Sequence, residues 1–541
     1  MPNFAHPDLP VDGLLRRAAR RDPDGVAIRT ATRSVGFAEL DGWADRIARF
    51  LSRTLDGAAG ARVGVAHVLD PVFAAAYYGT ARSGATVVLV NPLIGEDGLR
   101  HVLATARVEI ALVPAATAGL LAKMRADLPA LRAIVVTDAP DGVVPAGTVP
   151  LHQALDGPPP RHTIAPADPG ALACVQFTTG TTGRPKGVLL THRNLVANAK
   201  QVALAHRVSA GSVTLNHLPL YHVMHLNSGM YAGACQVLCQ DPDPVASLAV
   251  AAEAGATHYY GLPARLHALA ADGRLAGAVH PGPQLTAVLS GGSALAPRAA
   301  RTLSERLGVP VIQGYGMAEL SPLTHCQQPG HHRPGTVGGV VPGTECRVVD
   351  LVTRRPVGVR SAGEVQVRGP QLMAGYLDGG HGSRIDADGW FSTGDIGHLD
   401  DDGSLRLVDR LADVFKHDNE IVAPSRVEQV IREDPRVADC IVADWPDAEH
   451  GAVVWAGIVL SDGDGDGDGD GDGDGPRASD GAVAGLGILD DLDSITTRAN
   501  ERLAPFEQIR LAEAIESVPR TPTGKPQRRA LRAQLRRRAA V

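Results

Sequence analysis

From about residue 62 to residue 330 the chain alternates two kinds of segment. Short runs of β-branched and other apolar residues are separated by Ala-, Leu- and Arg-rich stretches of helical length. The runs Val63–Val68, Thr86–Val90, Ile110–Val113, Ile134–Thr137, Val213–Leu218, Gln236–Gln240, Thr257–Gly261, Leu285–Ser290 and Val309–Gly314 read as strands. This alternation predicts mostly parallel sheets with helices packed on their faces. From about residue 333 to 400 Gly and Pro recur every few residues between short strands such as Glu364–Arg368. That texture predicts a small, mainly antiparallel β subdomain. From about Val414 the chain reads as a separate α+β unit, of a size ordinary for one domain. The expected fold class is therefore α/β, with a large N-terminal domain of stacked α/β sheets, a small β subdomain and a C-terminal α+β domain.

Composition changes this picture little. Of 541 residues 44% are hydrophobic and 21% charged, as in an ordinary globular protein with a large core. The net charge of −7 gives no reason to expect nucleic acid or an anionic membrane as partner. No apolar run approaches the length that spans a bilayer. The six cysteines form no CxxC pair and no zinc-finger spacing, so reduced thiols in a cytoplasmic enzyme are expected. Residues 462–475 are seven consecutive Asp-Gly repeats, which cannot bury apolar area and predict a flexible insert. Only five of the 52 basic residues are lysine: Lys123, Lys186, Lys200, Lys416 and Lys525. An ammonium and a guanidinium are not interchangeable at a reactive phosphate, so the lysines retained inside motifs carry weight.

The densest motif is CVQFTTGTTGRPKGVLLTHRN, Cys174–Asn194. An apolar strand leads into Thr178, Thr179, Gly180, Thr181, Thr182, Gly183 and, three residues on, Lys186; a second apolar run and a helix starting near Thr191 follow. Glycines let backbone N–H groups turn toward phosphate oxygens, and the hydroxyls and the ammonium add donors. The spacing is not that of a Walker A loop.

This segment closely resembles the phosphate-binding loop of the AMP-binding, acyl-CoA-synthetase superfamily of adenylate-forming enzymes. The resemblance continues in order through His222 in LPLYHVMHLN, SGGSAL (Ser290–Leu295), QGYGMAE (Gln313–Glu319), GWFSTGD (Gly389–Asp395), VDRLADVFK (Val408–Lys416) and PRTPTGKPQRR (Pro519–Arg529). The look is that of 4-coumarate–CoA ligases. It implies a domain over residues 1–409, a hinge at 410–413 and a mobile lid over 414–541. It also implies ATP and Mg²⁺ as cofactors, a small-molecule acid or anion as substrate, and CoA as co-substrate. In that reading the 178–183 loop and Lys186 hold phosphates together with Ser293. Gln313, Gly314, Tyr315, Gly316, Met317 and Ala318 wrap the nucleotide, with Tyr315 on adenine. Glu319 holds Mg²⁺. Asp395, assisted by Arg410, accepts the ribose hydroxyls. Lys525 bridges the substrate oxyanion and the α-phosphate, His222 lies near the substrate carboxylate, and Lys416 faces the site in the second half-reaction. An anion attacking an anionic phosphorus needs such fixed positive charge.

Tyr221, Val223, Met224, His225, Asn227, His258, Tyr259, Tyr260, Ser321 and His325 are the expected pocket lining. A set so polar and aromatic suits a substituted aromatic acid better than a long fatty chain. The sequence departs from the family at Ala318, Ala412, Asn419 and Ile421, three of them where CoA chemistry is organised. Two other acceptors therefore stay open. One is a carrier-protein thiol. The other is an aromatic amine attacking adenylated nitrite, as in ATP-dependent diazotases.

Overall fold

The computed structural model describes residues 4–139, 142–156, 164–178, 185–217, 222–277, 280–330, 332–379, 384–418, 420–461, 480–520 and 526–539, with backbone alone over 480–489. The chain divides into two compact units. The first is Met1–Arg347 with Gln366–Thr393 and Leu399–Arg406. The second is Val348–Val365 with Gly394–His398 and Leu407–Val541.

The first unit holds two large sheets. In one, the strands Ala133–Val136, Ile110–Val113, Arg62–Ala66, Thr86–Val90 and Leu172–Thr178 lie parallel in that spatial order. Their side chains are buried on both faces, which is why they read as continuous apolar runs rather than alternating ones. Beyond Leu172–Thr178 the direction reverses. Lys186–Thr191 returns antiparallel to it, and Gly375–Tyr376 pairs antiparallel with that strand. In the second sheet the five parallel strands are Cys235–Leu238, Val213–His217, His258–Gly261, Ala287–Ser290 and Val311–Gly316. Leu323–Cys326 and Gly339–Val340 extend one edge antiparallel. The N-terminal strand Val26–Arg29 adds to the other edge, parallel to Cys235–Leu238, and brings Ser34–Gly36 with it. The predicted strands agree with the observed ones to within a few residues. The predicted helix after Thr191 is His192–Ala205, with Thr191 and Asn194 forming a reciprocal cap.

The Gly- and Pro-punctuated region supplies Glu345–Val349, Gly363–Arg368, Phe391–Leu399 and Leu405–Arg410, the strands of a four-stranded sheet. The second unit contains a three-stranded sheet, Val437–Asp447, Gly451–Leu460 and Ile509–Ala514. Strand alternation gives that sheet two apolar faces. Cys440, Val442, Val454, Ala456 and Ile458 pack with Val427, Val430 and Ile431 of the helix Pro424–Ile431. Ile441, Ala443 and Trp455 pack with Leu535 of the terminal helix Arg528–Ala539. No described helix is long and apolar enough to cross a membrane. The insert 462–475 lies outside the described residues.

Candidate functional site

In the second sheet of the first unit, His217, Gly261, Ser290 and Gln313 stand in register across four parallel strands, each at or near its strand's carboxyl end. In open α/β sheets that edge is where ligands bind. Two motifs begin there. Gln313 ties them together, since its side-chain carbonyl accepts from Leu295 N at 3.1 Å. This fixes the SGGSAL loop against the QGYGMAE strand and leaves Ser293 exposed on the loop. Gly316 is required by the chain's own approach, because a Cβ there would stand 1.9 Å from the Pro322 carbonyl oxygen.

In the other sheet Thr178 pairs with Lys186 and Phe177 with Gly187. Both ends of the Gly/Thr loop are thus pinned to one antiparallel rung, although Thr179, Gly180, Thr181, Thr182 and Gly183 lie outside the described residues. Lys186 Nζ sits 5.7 Å from the centre of the Tyr376 ring. The Tyr376 hydroxyl donates to Glu319 Oε1 at 2.9 Å. Burial and the neighbouring Glu319 carboxylate raise the Tyr376 pKa, so the phenol keeps the proton it donates, and Arg384 approaches the same hydroxyl. Lys186, expected at the phosphates, and Glu319, expected at the metal, therefore meet through one tyrosine. Glu319 is buried, and a hard carboxylate oxygen suits Mg²⁺, which is commonly held by one or two carboxylates beside substrate phosphates. Sequence reasoning missed Tyr376 and Arg384. The only local signal was a tyrosine in a Gly-punctuated turn, MAGYLDG.

His222 caps the helix Val223–Ala232, its Nδ1 accepting from Met224 N at 3.2 Å. That bond leaves the ring proton on Nε2, as a donor. Burial lowers the His222 pKa to about 4, and His67, which interacts with it, to about 3, so both are neutral near pH 7. One helical turn on, His225 stacks on Tyr260, with ring centres 4.0 Å apart and planes 20° apart. His325 lies 5.8 Å from the Tyr315 ring and is hydrogen-bonded to Thr324 Oγ1 at 3.0 Å. Three buried polar atoms here have no hydrogen-bond partner among the described residues: His225 Nδ1, His325 Nε2 and Ser290 Oγ. Unsatisfied buried groups are costly, and a bound water or a polar ligand would satisfy them.

Several expected pocket residues are placed otherwise. Tyr259 faces away from Tyr260, because neighbours on a strand point to opposite faces. It packs among Leu215, Val237, Leu248 and Leu266, with its hydroxyl bonded to Ser247 at 2.7 Å and His217 at 2.9 Å. His258 donates to His206 O at 2.8 Å and is bonded to Thr257 Oγ1 at 2.7 Å, which occupies both nitrogens. Asn227 bridges Tyr77 and Tyr78 at 3.1 and 2.9 Å, and Val223 is buried. Ser321 donates to Gln371 O at 2.8 Å. Four of these five have their side chains bonded within the protein, and the fifth is buried. Met224, part-buried, packs on the cluster around Tyr260, and Tyr221 lies outside the described residues.

In the second unit Asp395 is buried on the strand Phe391–Leu399, with Arg410 Nε 3.6 Å from its Oδ1. Leu411 N donates to Gly394 O at 2.8 Å, which holds the two segments together. Lys416 is exposed at the centre of Phe415–His417, paired with Ile421. Lys525 lies outside the described residues. The Ala318 carbonyl accepts from Ser321 N at 3.2 Å in the short turn that presents Glu319, and Met317 N donates to Pro322 O at 3.1 Å.

Comparison with known proteins adds a second line. The model of the family described as AMP-binding enzyme matches residues 15–377. A 4-coumarate–CoA ligase of Oryza sativa subsp. japonica is 30% identical, over 96% of this chain and 91% of its own. A long-chain-fatty-acid–CoA ligase of Bacillus subtilis is 28% identical, over 97% and 94%. The crystal structure of ATP-bound MatB from Rhodopseudomonas palustris superposes with a TM-score of 0.82 at 25% identity, covering 97% of this chain and 99% of that one.

Proposed function

The chain belongs to the AMP-binding enzyme family, and from that premise we propose that it activates a small aromatic or polar carboxylic acid as acyl-AMP, releases pyrophosphate, and passes the acyl group to the thiol of CoA. It is an ATP-dependent adenylate-forming ligase of the acid–CoA ligase type. The reading goes further in naming the acid class and the acceptor. What carries it is the cluster of neutral buried imidazoles: His225 against Tyr260, with one bare nitrogen each on His225 and His325. A fatty chain offers these nitrogens no hydrogen-bonding partner, whereas a hydroxyl or amino substituent on an aromatic ring does. The names of the relatives point both ways, to 4-coumarate and to a long-chain fatty acid.

The roles follow the chemistry of each group. Neutral His222 donates from Nε2 to the substrate carboxylate. Lys186 and the Thr178–Gly183 loop with Ser293 hold phosphates. Gln313 to Ala318 wrap the nucleotide, with Tyr315 on the adenine. Glu319 would hold Mg²⁺, oriented by the Tyr376 hydroxyl. Asp395 and Arg410 take the ribose, Lys525 bridges carboxylate and α-phosphate, and Lys416 serves the transfer step. When bound, Mg²⁺ supplies charge neutralisation at the phosphates. The hinge at 410–413 lets the lid exchange Lys525 for the Lys416 face between half-reactions.

A second reading changes only the acceptor, to a carrier-protein thiol or to an aromatic amine attacking adenylated nitrite. It is favoured by the turn after Lys416, where Asp418 already takes a left-handed backbone (φ 49°) and Ile421 is exposed. The test is pyrophosphate release across hydroxycinnamic acids, aminobenzoic acids, fatty acids and nitrite, each with and without CoA. Release with an aromatic acid and a thioester product supports CoA. Turnover only with a fatty acid overturns the pocket reading, and turnover with nitrite and an aromatic amine without thioester overturns CoA as acceptor.

A further inference from the structure

The lid carries a group of side chains that the adenylation chemistry does not use. His417 ends the strand Phe415–His417, Asp418 follows it in the turn, and His450 stands in the turn between Val437–Asp447 and Gly451–Leu460. The two imidazoles are stacked, with ring centres 4.8 Å apart and planes 30° apart. The Asp418 carboxylate lies against both, 2.9 Å from His450 Nδ1 and 3.7 Å from His417 Nε2.

Three features make this more than a surface ion pair. First, His417 is buried and its Nδ1 donates to Ala452 O at 2.9 Å. That bond places a proton on Nδ1, so in the neutral ring Nε2 is the atom left to ligate an ion beside the carboxylate. Metal-binding histidines are oriented in this way, with the other ring nitrogen donating to a backbone carbonyl. Second, Asp418 holds φ at 49°, a conformation that side chains other than glycine rarely adopt, and its N–H donates to His450 O at 3.3 Å. The backbone turn thereby aims the carboxylate between the two rings. Third, among the described residues no Arg or Lys forms an ion pair with Asp418; its partners are the two histidines. The donor atoms all lie within 4.8 Å of one another. Ligand atoms about 2.0–2.1 Å from a tetrahedral ion sit roughly 3.4 Å apart. The pair His417 Nε2 and Asp418 is already near that spacing, and the part-exposed His450 ring is the one that must adjust.

The geometry points to a divalent transition-metal site of the zinc class, ligated by His417 Nε2, Asp418 and His450, with a fourth position open to solvent. Two imidazoles and one carboxylate select such an ion over Mg²⁺, which prefers oxygen ligands in octahedral array. Bound there, the ion would clamp the hairpin 415–422 to the turn 447–451. The site is independent of the acid or the acceptor that the enzyme uses.

The test uses tag-free full-length protein stripped with EDTA and titrated with Co²⁺, then Zn²⁺. The expected result is one Co²⁺ per chain with the visible absorption of a four-coordinate ion, displaced stoichiometrically by Zn²⁺. Asp418→Asn and His450→Ala are each expected to weaken binding about tenfold or more. Asp418 is exposed and His450 part-exposed, and both stand in turns, so these variants test the site without emptying a core, as His417→Ala would. Absence of Co²⁺ absorption overturns the proposal, as does Co²⁺ binding that both variants retain at wild-type strength. An Asp418–His450 ion pair whose imidazole signals do not respond to Zn²⁺ also overturns it.

Discussion

Tyr376→Phe removes one hydroxyl and nothing else. In the structure that hydroxyl donates to Glu319 Oε1 at 2.9 Å, and the ring lies 5.7 Å from Lys186 Nζ. A hydrogen bond to a charged acceptor contributes about 1.5–3 kcal/mol. Tyr376 is only part-buried, so water replaces some of the lost bond and the lower end applies. Each 1.4 kcal/mol is about tenfold in rate. The variant is therefore expected to lose roughly tenfold in kcat/KM for ATP and to need more Mg²⁺ for half-maximal rate. Pyrophosphate release over a Mg²⁺ series measures both, with Tm recorded alongside. A variant with wild-type kcat/KM and an unchanged Mg²⁺ series would refute the claim that Tyr376 orients the metal-holding carboxylate.

Three further outcomes are expected. Tyr259→Phe breaks buried bonds to Ser247 and His217, so it should cost about 1–2 kcal/mol in chemical denaturation while leaving KM for the acid unchanged. His225→Ala should do the reverse, raising KM for a substituted aromatic acid severalfold, measured on the same panel. Stability of the first unit should fall as pH drops below about 6.5. His67, His206 and His325 are lowered by burial to about 3, and His192, His217 and His222 to about 4. Above the unfolded value both states are neutral and nothing is lost. Below it the unfolded chain binds protons that the fold refuses, so each such histidine withdraws about 1.4 kcal/mol per pH unit until its folded pKa is reached. Urea midpoints at pH 7.5, 6.5 and 5.5 check this, and a flat profile contradicts it.

The strands of both large sheets were legible because a strand buried on both faces is a continuous apolar run, as Thr86–Val90 and Ile110–Val113 are. The same property hid the faces. Nothing in the string His258–Tyr259–Tyr260 says which ring meets the pocket side, because both sides are apolar; only the packing of Leu248 and Leu266 on Tyr259 decides it. The N-terminal strand Val26–Arg29 was not read; its partner Cys235–Leu238 is some 200 residues away. Tyr376 was missed for the same reason: its partner Glu319 is distant in sequence. His417, Asp418 and His450 follow no metal-ligand spacing, and His450 joins the other two only when two turns of the second unit fold together. The motif residues, by contrast, were legible as short strings, because strand-end glycines and the residues after them are set locally.

The most direct measurement is detection of the adenylate itself. Purified enzyme is incubated with ATP, Mg²⁺ and a hydroxycinnamic or aminobenzoic acid without any acceptor, then quenched for mass spectrometry beside a Lys525→Ala sample. The expected result is an aroyl-AMP with matching pyrophosphate in the wild type and neither in the variant. The absence of adenylate and pyrophosphate from wild-type enzyme with every acid and with nitrite, or a Lys525→Ala sample that forms adenylate at the wild-type rate, would contradict it.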